Sequence, residues 1–292
     1  MARHRRKIHK TPDEIQPELG GGRLTIERMA HGGYGLGHLD GLTVFVPRTA
    51  PGDLVDIRLT EQRRRYAFGE VERLLQPSPW RVPPPCPLYE RCGGCHLQHL
   101  DYARQLTYKT TQVEETLERI GKLSAIPVAP ILPSPVPYAY RNKVLYHYDA
   151  RTGALGLVSR GAAAILDLPQ CLLNDPRADA VLARIRALAA SQPAFRQALH
   201  QVQLQIGQRT AEVLLTVIVR QALSPSLGQL LWEELQAQVS GLYVHVKTRQ
   251  TPAVFAGETQ LLGGAGVIHE RVGPVLFRIE PQAFFQVNTV QM

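Results

Sequence analysis

The chain is poor in sulfur and has no long apolar run. Of 292 residues, four are cysteine, three methionine and two tryptophan. The longest apolar stretch, around residues 213–219, is far too short to span a bilayer. Behind the basic N-terminus, MARHRRKIHK, no apolar region follows, which argues against a secretory signal. Acidic residues are in the minority, 25 against 33 lysines and arginines, for a formal charge of +8. That excess points to a polyanionic partner, and the want of an amphipathic basic helix favours nucleic acid over a membrane. The hydrophobic content of 44% is ordinary for a globular protein, and the length can hold two or three domains, each with its own core.

What sulfur there is, is concentrated. Cys86, Cys92 and Cys95 stand in one short stretch, CPLYERCGGC, and Cys171 stands alone downstream. Gly93 and Gly94 let the backbone fold back so that Cys92 and Cys95 face one point. Iron–sulfur clusters take four thiolates bunched in a flexible turn, with one often supplied from a remote segment. Zinc is the nearest competitor, although structural zinc sites usually come as two paired knuckles, and this set is divided three and one. His96 and His99 can complete a zinc site without Cys171, but as polar residues at the start of a helix they need no metal. Spacing alone leaves iron–sulfur, zinc and unligated thiols open. Reduced thiols without a signal peptide point to the cytoplasm.

Along the chain, residues 1–22 read as a disordered basic arm with a glycine hinge at Gly20–Gly22. Residues 23–76 show short alternating strands with glycine corners, the pattern of a small oligonucleotide-binding-type β-barrel. Arg63, Arg64 and Arg65, followed by Tyr66, fall where two strands turn; a basic tip beside an aromatic suits phosphate contact and base stacking, and equally a solvated hairpin end. Prolines at 77–85 lead into the cysteine loop. The helix after it is capped by Asp101, carries a core stripe of Tyr102, Leu106, Val113, Leu117 and Ile120, and ends at Gly121. Residues 77–124 thus read as a loop-and-helix segment. From 125 to 280 the order of strands and helices describes an α+β domain, with helices opened by Asp175-Pro176 and Ser224-Pro225. Gly263, Gly264 and Gly266 read as a hairpin turn. Arg141, Asn142 and Lys143 form a compact polar set suited to RNA, to a structural junction, or simply to the start of a strand.

The run CGGCHLQHLDYARQLTYK, with Pro85 ahead of its loop, resembles the RNA uracil-5 methyltransferase family. The segment HGGYGLGHLDGLTVFVPRTAPGDLVDI resembles a TRAM domain, an RNA-binding module that opens many members, and YRNK recurs where the family's central domain begins. The resemblance implies S-adenosylmethionine-dependent methylation of uridine C5. It also implies a 4Fe-4S cluster on Cys86, Cys92, Cys95 and Cys171. The pairing of a TRAM domain with this loop is typical of the ribosomal branch, so 23S ribosomal RNA is expected ahead of transfer RNA. The implied protein is monomeric, with no membrane partner.

AFFQVN, near the end, resembles the family's entrance to its catalytic domain, where the position of Gln286 contacts S-adenosylmethionine and that of Phe284 can lie against the target base. Residues 281–292 therefore read as the start of a truncated catalytic domain. A Rossmann-like methyltransferase domain of about 150 residues is expected to be missing beyond residue 292. Uracil C5 becomes nucleophilic only after a thiolate adds at C6, and a base must then remove the C5 proton. With four thiols given to a cluster, the chain alone is expected to be inactive and to supply RNA binding. The alternative is a stand-alone, non-catalytic RNA-binding iron–sulfur or zinc protein.

Overall fold

A computed structural model describes residues 20–248, 251 and 253–292. They form two compact units, one joining the chain up to Pro84 with His96–Ile131, the other joining Pro85–Cys95 with Leu132–Met292. Most of the basic arm, residues 1–19, lies outside the described residues. Its expected hinge is instead the start of a strand. A Cβ added at Gly21 would come 2.2 Å from the Ile57 carbonyl oxygen, and one at Gly22 would come 2.7 Å from Leu39, so these glycines serve close packing. The segment expected over 77–124 is also divided, its cysteine loop grouping with the second unit and its helix with the first.

In the first unit, β1 (Gly21–Thr25), β2 (Arg28–Ala30), β3 (Tyr34–Leu39), β4 (Leu42–Pro47), β5 (Leu54–Gln62) and β6 (Tyr66–Gln76) form a sheet in the order β1-β5-β6-β4-β3-β2. The two ends of that order are halves of one bent strand, separated only by Ile26 and Glu27. At the bend Ile26 N donates to Asp53 O and Glu27 N to Leu36 O, both at 2.8 Å, so the sheet closes on itself as a barrel. Gly37 permits this, since a Cβ there would lie 2.4 Å from Thr25 O. Alternation drives the interior: Leu24, Ile26, Val44, Val46, Val55, Ile57, Leu59 and Ala67 are buried together. One carboxylate ties off an end. Asp53, fully buried, accepts from Ala50 N, Ser78 N and both Nε and Nη2 of Arg81, all within 2.8 Å, which satisfies its charge.

Helix α1 (Tyr102–Arg119) begins where Asp101 accepts from Ala103 N and Arg104 N. Its expected apolar stripe is corrected: Val113 is 49% and Ile120 80% exposed, and the residue that is buried is Tyr108. The Tyr108 hydroxyl donates to Ala30 O and accepts from Gly33 N, docking the helix on the barrel through a polar pair.

The second unit is built on a seven-stranded sheet. Its strands are β7 (Lys143–Tyr148), β8 (Leu155–Val158), β9 (Ile165–Asp167), β10 (Leu199–Ile206), β11 (Val213–Val219), β12 (Gly241–Lys247) and β13 (Gly257–Gly264), in the order β13-β12-β11-β10-β7-β8-β9. Helices α2 (Pro176–Ser191) and α4 (Pro225–Leu235) start at Asp175 and Ser224, whose side chains accept from Arg177 N and Leu227 N; α3 (Pro193–Ala198) is a single short turn. Val213, Leu215, Val217 and Val219 pack with Val181, Leu182, Ile185 and Leu231 in one core. Fully burying one such leucine contributes about 1.5–3 kcal/mol.

One pair departs from antiparallel order in this layer of strands and helices. β11 and β12 pair in parallel and are joined through α4, so a βαβ crossover sits inside an otherwise antiparallel sheet. The reason is reach: two parallel strands cannot be closed by a tight turn, and α4 supplies the return. The late glycines are not a hairpin turn. Gly263 lies within β13 against Trp232, where an added Cβ would come 2.3 Å from the indole, and a separate hairpin follows in β14 (Ile268–Val272) and β15 (Val275–Ile279).

Candidate functional site

On the barrel, Arg63, Arg64 and Arg65 form the exposed turn between β5 and β6, closed by Arg63 N donating to Tyr66 O at 2.8 Å. The Arg63 guanidinium is already engaged by Glu61, with Nε 2.6 Å from its Oε1. Arg64 and Arg65 are the cations this tip presents outward. Beside it, Tyr66 meets Phe45 at 6.0 Å and Phe68 at 5.8 Å between ring centroids, both edge-on, and Tyr34 meets Phe68 at 5.6 Å. Sequence reasoning singled out Tyr66 and missed the other three. The signal was available in the register, because Phe45 pairs with Phe68 and Thr43 with Tyr66 across β4 and β6, so alternate positions bring aromatics to one face. Flat π-faces beside exposed arginines can stack bases and hold phosphates.

The cysteines all belong to the second unit. Cys92 is buried and its Sγ accepts from Gly94 N at 3.3 Å, while Arg160 Nη2 donates to Cys95 O at 2.7 Å and Cys92 O at 3.1 Å, pinning the loop. Burial raises the Tyr138 phenol above its usual range, and Cys95 and Cys86 add to the shift. The next residue, Ala139, donates through N to Leu172 O at 2.8 Å and so runs beside Cys171. Burial likewise raises the Cys171 thiol. Among the described residues no group of three or more His, Cys, Asp or Glu stands close enough to hold a metal ion. A cubane sets a different test, because each of its irons takes its own thiolate. None of the four cysteines is in a disulfide, and Gly94 N donates to the Cys92 sulfur, so their thiols are the donor set that such a group would use. His99 is not a spare ligand, since its ring Nε2 hydrogen-bonds Thr49 O at 3.1 Å.

The polar run at 141–143 is turned inward. Asn142, 3% exposed, donates from Nδ2 to Gln286 O at 2.8 Å and to Thr289 Oγ1 at 2.9 Å. Lys143 Nζ donates to Ala283 O, and burial holds its pKa below the usual lysine range. Arg141 forms backbone bridges to Asn174 and Asn288. These contacts anchor residues 283–289 by their backbone and leave the Phe284 side chain, 83% exposed, and that of Gln286 facing outward. A surface cavity of about 340 Å³ lined by Arg91, Thr152 and Asp167 includes none of the expected residues.

These features define a class by fold: an aromatic-faced barrel with an arginine-bearing turn, and a mixed sheet flanked by cysteine-bearing loops. Residues 23–71 match the TRAM domain model, so the N-terminal barrel is a TRAM domain. Over 92% of its length the chain is 37% identical to an uncharacterized RNA methyltransferase of Thermosynechococcus vestitus, of which it covers 62%. It is 32% identical to one of Halalkalibacterium halodurans, of which it covers 61%. The chain thus spans about three fifths of the length of the curated relatives it matches. In fold it is similar to the crystal structure of Pyrococcus abyssi tRNA (uracil-54, C5)-methyltransferase in complex with S-adenosyl-L-homocysteine. The TM-score is 0.71 at 22% identity, covering 92% of this chain and 62% of that one.

The comparison corrects the expected fold class. That expectation described the chain as an N-terminal portion whose Rossmann-like domain is missing beyond residue 292. The overturning finding is that 92% of this chain aligns with the relatives and with the solved structure, so nearly all of it shares their fold over the matched part. Where a sequence ends does not define a fold class. No helix among the described residues is long and apolar enough to cross a membrane.

Proposed function

We propose that this chain belongs to an S-adenosylmethionine-dependent RNA methyltransferase acting on C5 of a uridine. The observation that carries the reading is the joint presence of the TRAM barrel at 23–71 and likeness to RNA methyltransferases over 92% of the chain. The solved structure similar in fold is described as a tRNA uracil-C5 enzyme, which favours uridine C5 as the atom.

In this reading the barrel holds the RNA. Arg64 and Arg65 take phosphates, and Tyr66 with Phe45 and Phe68 offers faces on which unpaired bases stack. Cys86, Cys92, Cys95 and Cys171 hold a 4Fe-4S cluster, which when bound ties the loop to the sheet. S-adenosylmethionine supplies the methyl group. The junction at 142–143 keeps the outward Gln286 amide and the Phe284 ring in place, one to meet the cofactor and the other the target base. The nucleophile that adds at C6 is not one of the cluster thiols.

Deleting the gene and digesting total RNA to nucleosides tests this. Loss of 5-methyluridine from one position is the expected result, and mapping that position to ribosomal or transfer RNA identifies the substrate. An unchanged 5-methyluridine content in both RNA classes refutes the reading.

A further inference from the structure

One end of the seven-stranded sheet carries a cluster that nothing above uses, and strand alternation fixes its place. On β11, Val213, Leu215, Val217 and Val219 face the helices, so Thr216, Ile218 and then Arg220 face the other side. The register sets His147, Gln201, Ile218 and His245 in one row across four strands, with Lys247 following on the His245 side. Between Leu199 and Gln201 the ladder slips, inserting His200 as an extra residue beside them.

The row is linked but not satisfied. Gln201 Nε2 lies 3.2 Å from His147 Nδ1, His245 Nδ1 lies 2.8 Å from Thr259 Oγ1, and Arg220 Nη1 donates to Leu199 O. His200 Nδ1, Gln201 Oε1 and His245 Nε2 are buried without a hydrogen-bond partner among the described residues. Gln201 is 5% exposed and His245 fully buried, with the Phe255 ring edge-on to it at 5.2 Å. His147, His200 and Lys247 are half-buried and Arg220 is exposed, so a solute can reach them.

The charges that act on the corner are of one sign. Burial first, then Lys247, lowers the pKa of both His147 and His245, and burial, Arg220, Lys247 and His147 lower that of His200. The nearest acids point elsewhere. Glu258 pairs with Val246 and so shares the helix side, while Asp149 is turned onto Arg151 N and Thr152 Oγ1. Cations and N–H donors without a facing carboxylate are the makings of an anion site.

We propose that this corner binds a phosphodiester of the RNA backbone, Lys247 and Arg220 supplying the charge and His147 and His200 the ring N–H donors. The choice of RNA rests on the reading given under Proposed function; the anion chemistry does not.

The test pairs imidazole NMR, with inorganic phosphate as the probe, and binding of a labelled uridine-containing stem-loop at several salt concentrations. Phosphate is expected to move the His147 and His200 ring signals of the wild-type protein and not those of the double variant Lys247→Gln, Arg220→Gln. That variant is also expected to bind the stem-loop about tenfold more weakly, with a salt slope reduced by about 1–2. Both positions are at least partly exposed, and an unchanged circular dichroism spectrum verifies that the variant folds. RNA binding by the variant equal to wild type in affinity and slope overturns the proposal and leaves the RNA reading standing, whether or not phosphate moves the rings. Ring signals that respond to phosphate in a protein that binds no RNA keep the anion site and overturn its assignment to RNA together with the RNA reading.

Discussion

Asn142 and Thr289 are 147 residues apart in sequence and 2.9 Å apart in space, joined by Nδ2 donating to Oγ1. Thr289 Oγ1 in turn donates to Glu270, a fully buried carboxylate that also accepts from the backbone N of Gln208, Arg209 and Arg271. The segment that closes the described chain is therefore held by a buried polar relay. Asn142→Ala leaves the Gln286 carbonyl and the Thr289 hydroxyl each short of a partner, which costs about 1–3 kcal/mol. Urea unfolding is expected to show the loss, and limited proteolysis to cut near residues 284–287 earlier than in the wild type. An unchanged midpoint and cleavage rate would mean that water replaces the amide at no cost.

Because Arg63 is engaged by Glu61 while Arg64 and Arg65 point outward, the three arginines are not equivalent. Arg64→Gln with Arg65→Gln is expected to weaken binding of a uridine-containing stem-loop and to reduce the salt slope by about 0.7–0.9 for each phosphate no longer neutralised. Arg63→Gln alone should have a smaller effect on the slope. Equal losses from all three single replacements would show that the Glu61 pair opens when RNA binds.

Acid should destabilise the central sheet. An ordinary imidazole titrates near 6.5, whereas that of His200 is pushed down to about 4 by burial and by Arg220, Lys247 and His147. Between those values the unfolded chain binds a proton that the folded one does not. Stability is therefore lost as pH falls through that window and is unaffected by this group above it. His147 and His245 are shifted the same way and add to the slope. Urea midpoints measured across about pH 4–7 should fall less steeply for His200→Asn than for wild type. Parallel curves would place His200 in water.

Anaerobically purified protein should be brown and contain about four irons and four sulfides per chain. Cys171→Ser is expected to lower both the iron content and the melting temperature, since that thiol comes from outside the loop and couples it to the sheet. Stoichiometric zinc without sulfide would reassign the thiols.

Local rules were legible where one residue decides. Asp175-Pro176 and Ser224-Pro225 each place a side-chain acceptor at a helix start and a proline where no N–H is needed, and α2 and α4 begin there. The alternating residues of β10 and β12 likewise announce strands. What escaped depends on partners remote in sequence. A stripe spaced like Leu106, Val113 and Leu117 says that a face is apolar, not that anything covers it, and the barrel meets α1 through Tyr108 instead. Asn142 and Lys143 look like exposed recognition groups until the carbonyls of 283–289 are brought to them. Gly263 looks like a turn until Trp232 lies across it. The aromatic face of the barrel needed the β4–β6 register, which joins residues more than twenty apart.

The closure of the barrel by one bent strand has a consequence for how the proposed RNA partner could be held. A sheet that ends in two unpaired margins offers rows of free N–H and C=O groups to any extended chain, and recognition by strand addition, like aggregation, begins there. Here the two margins are occupied by successive halves of residues 21–30, one laddered to β5 and the other to β3. Each margin is thereby cut to a half-strand of five or three residues, a short template for any added chain. Short margins favour recognition by side chains on the outer face and in the turns, which is where Tyr66, Arg64 and Arg65 are found.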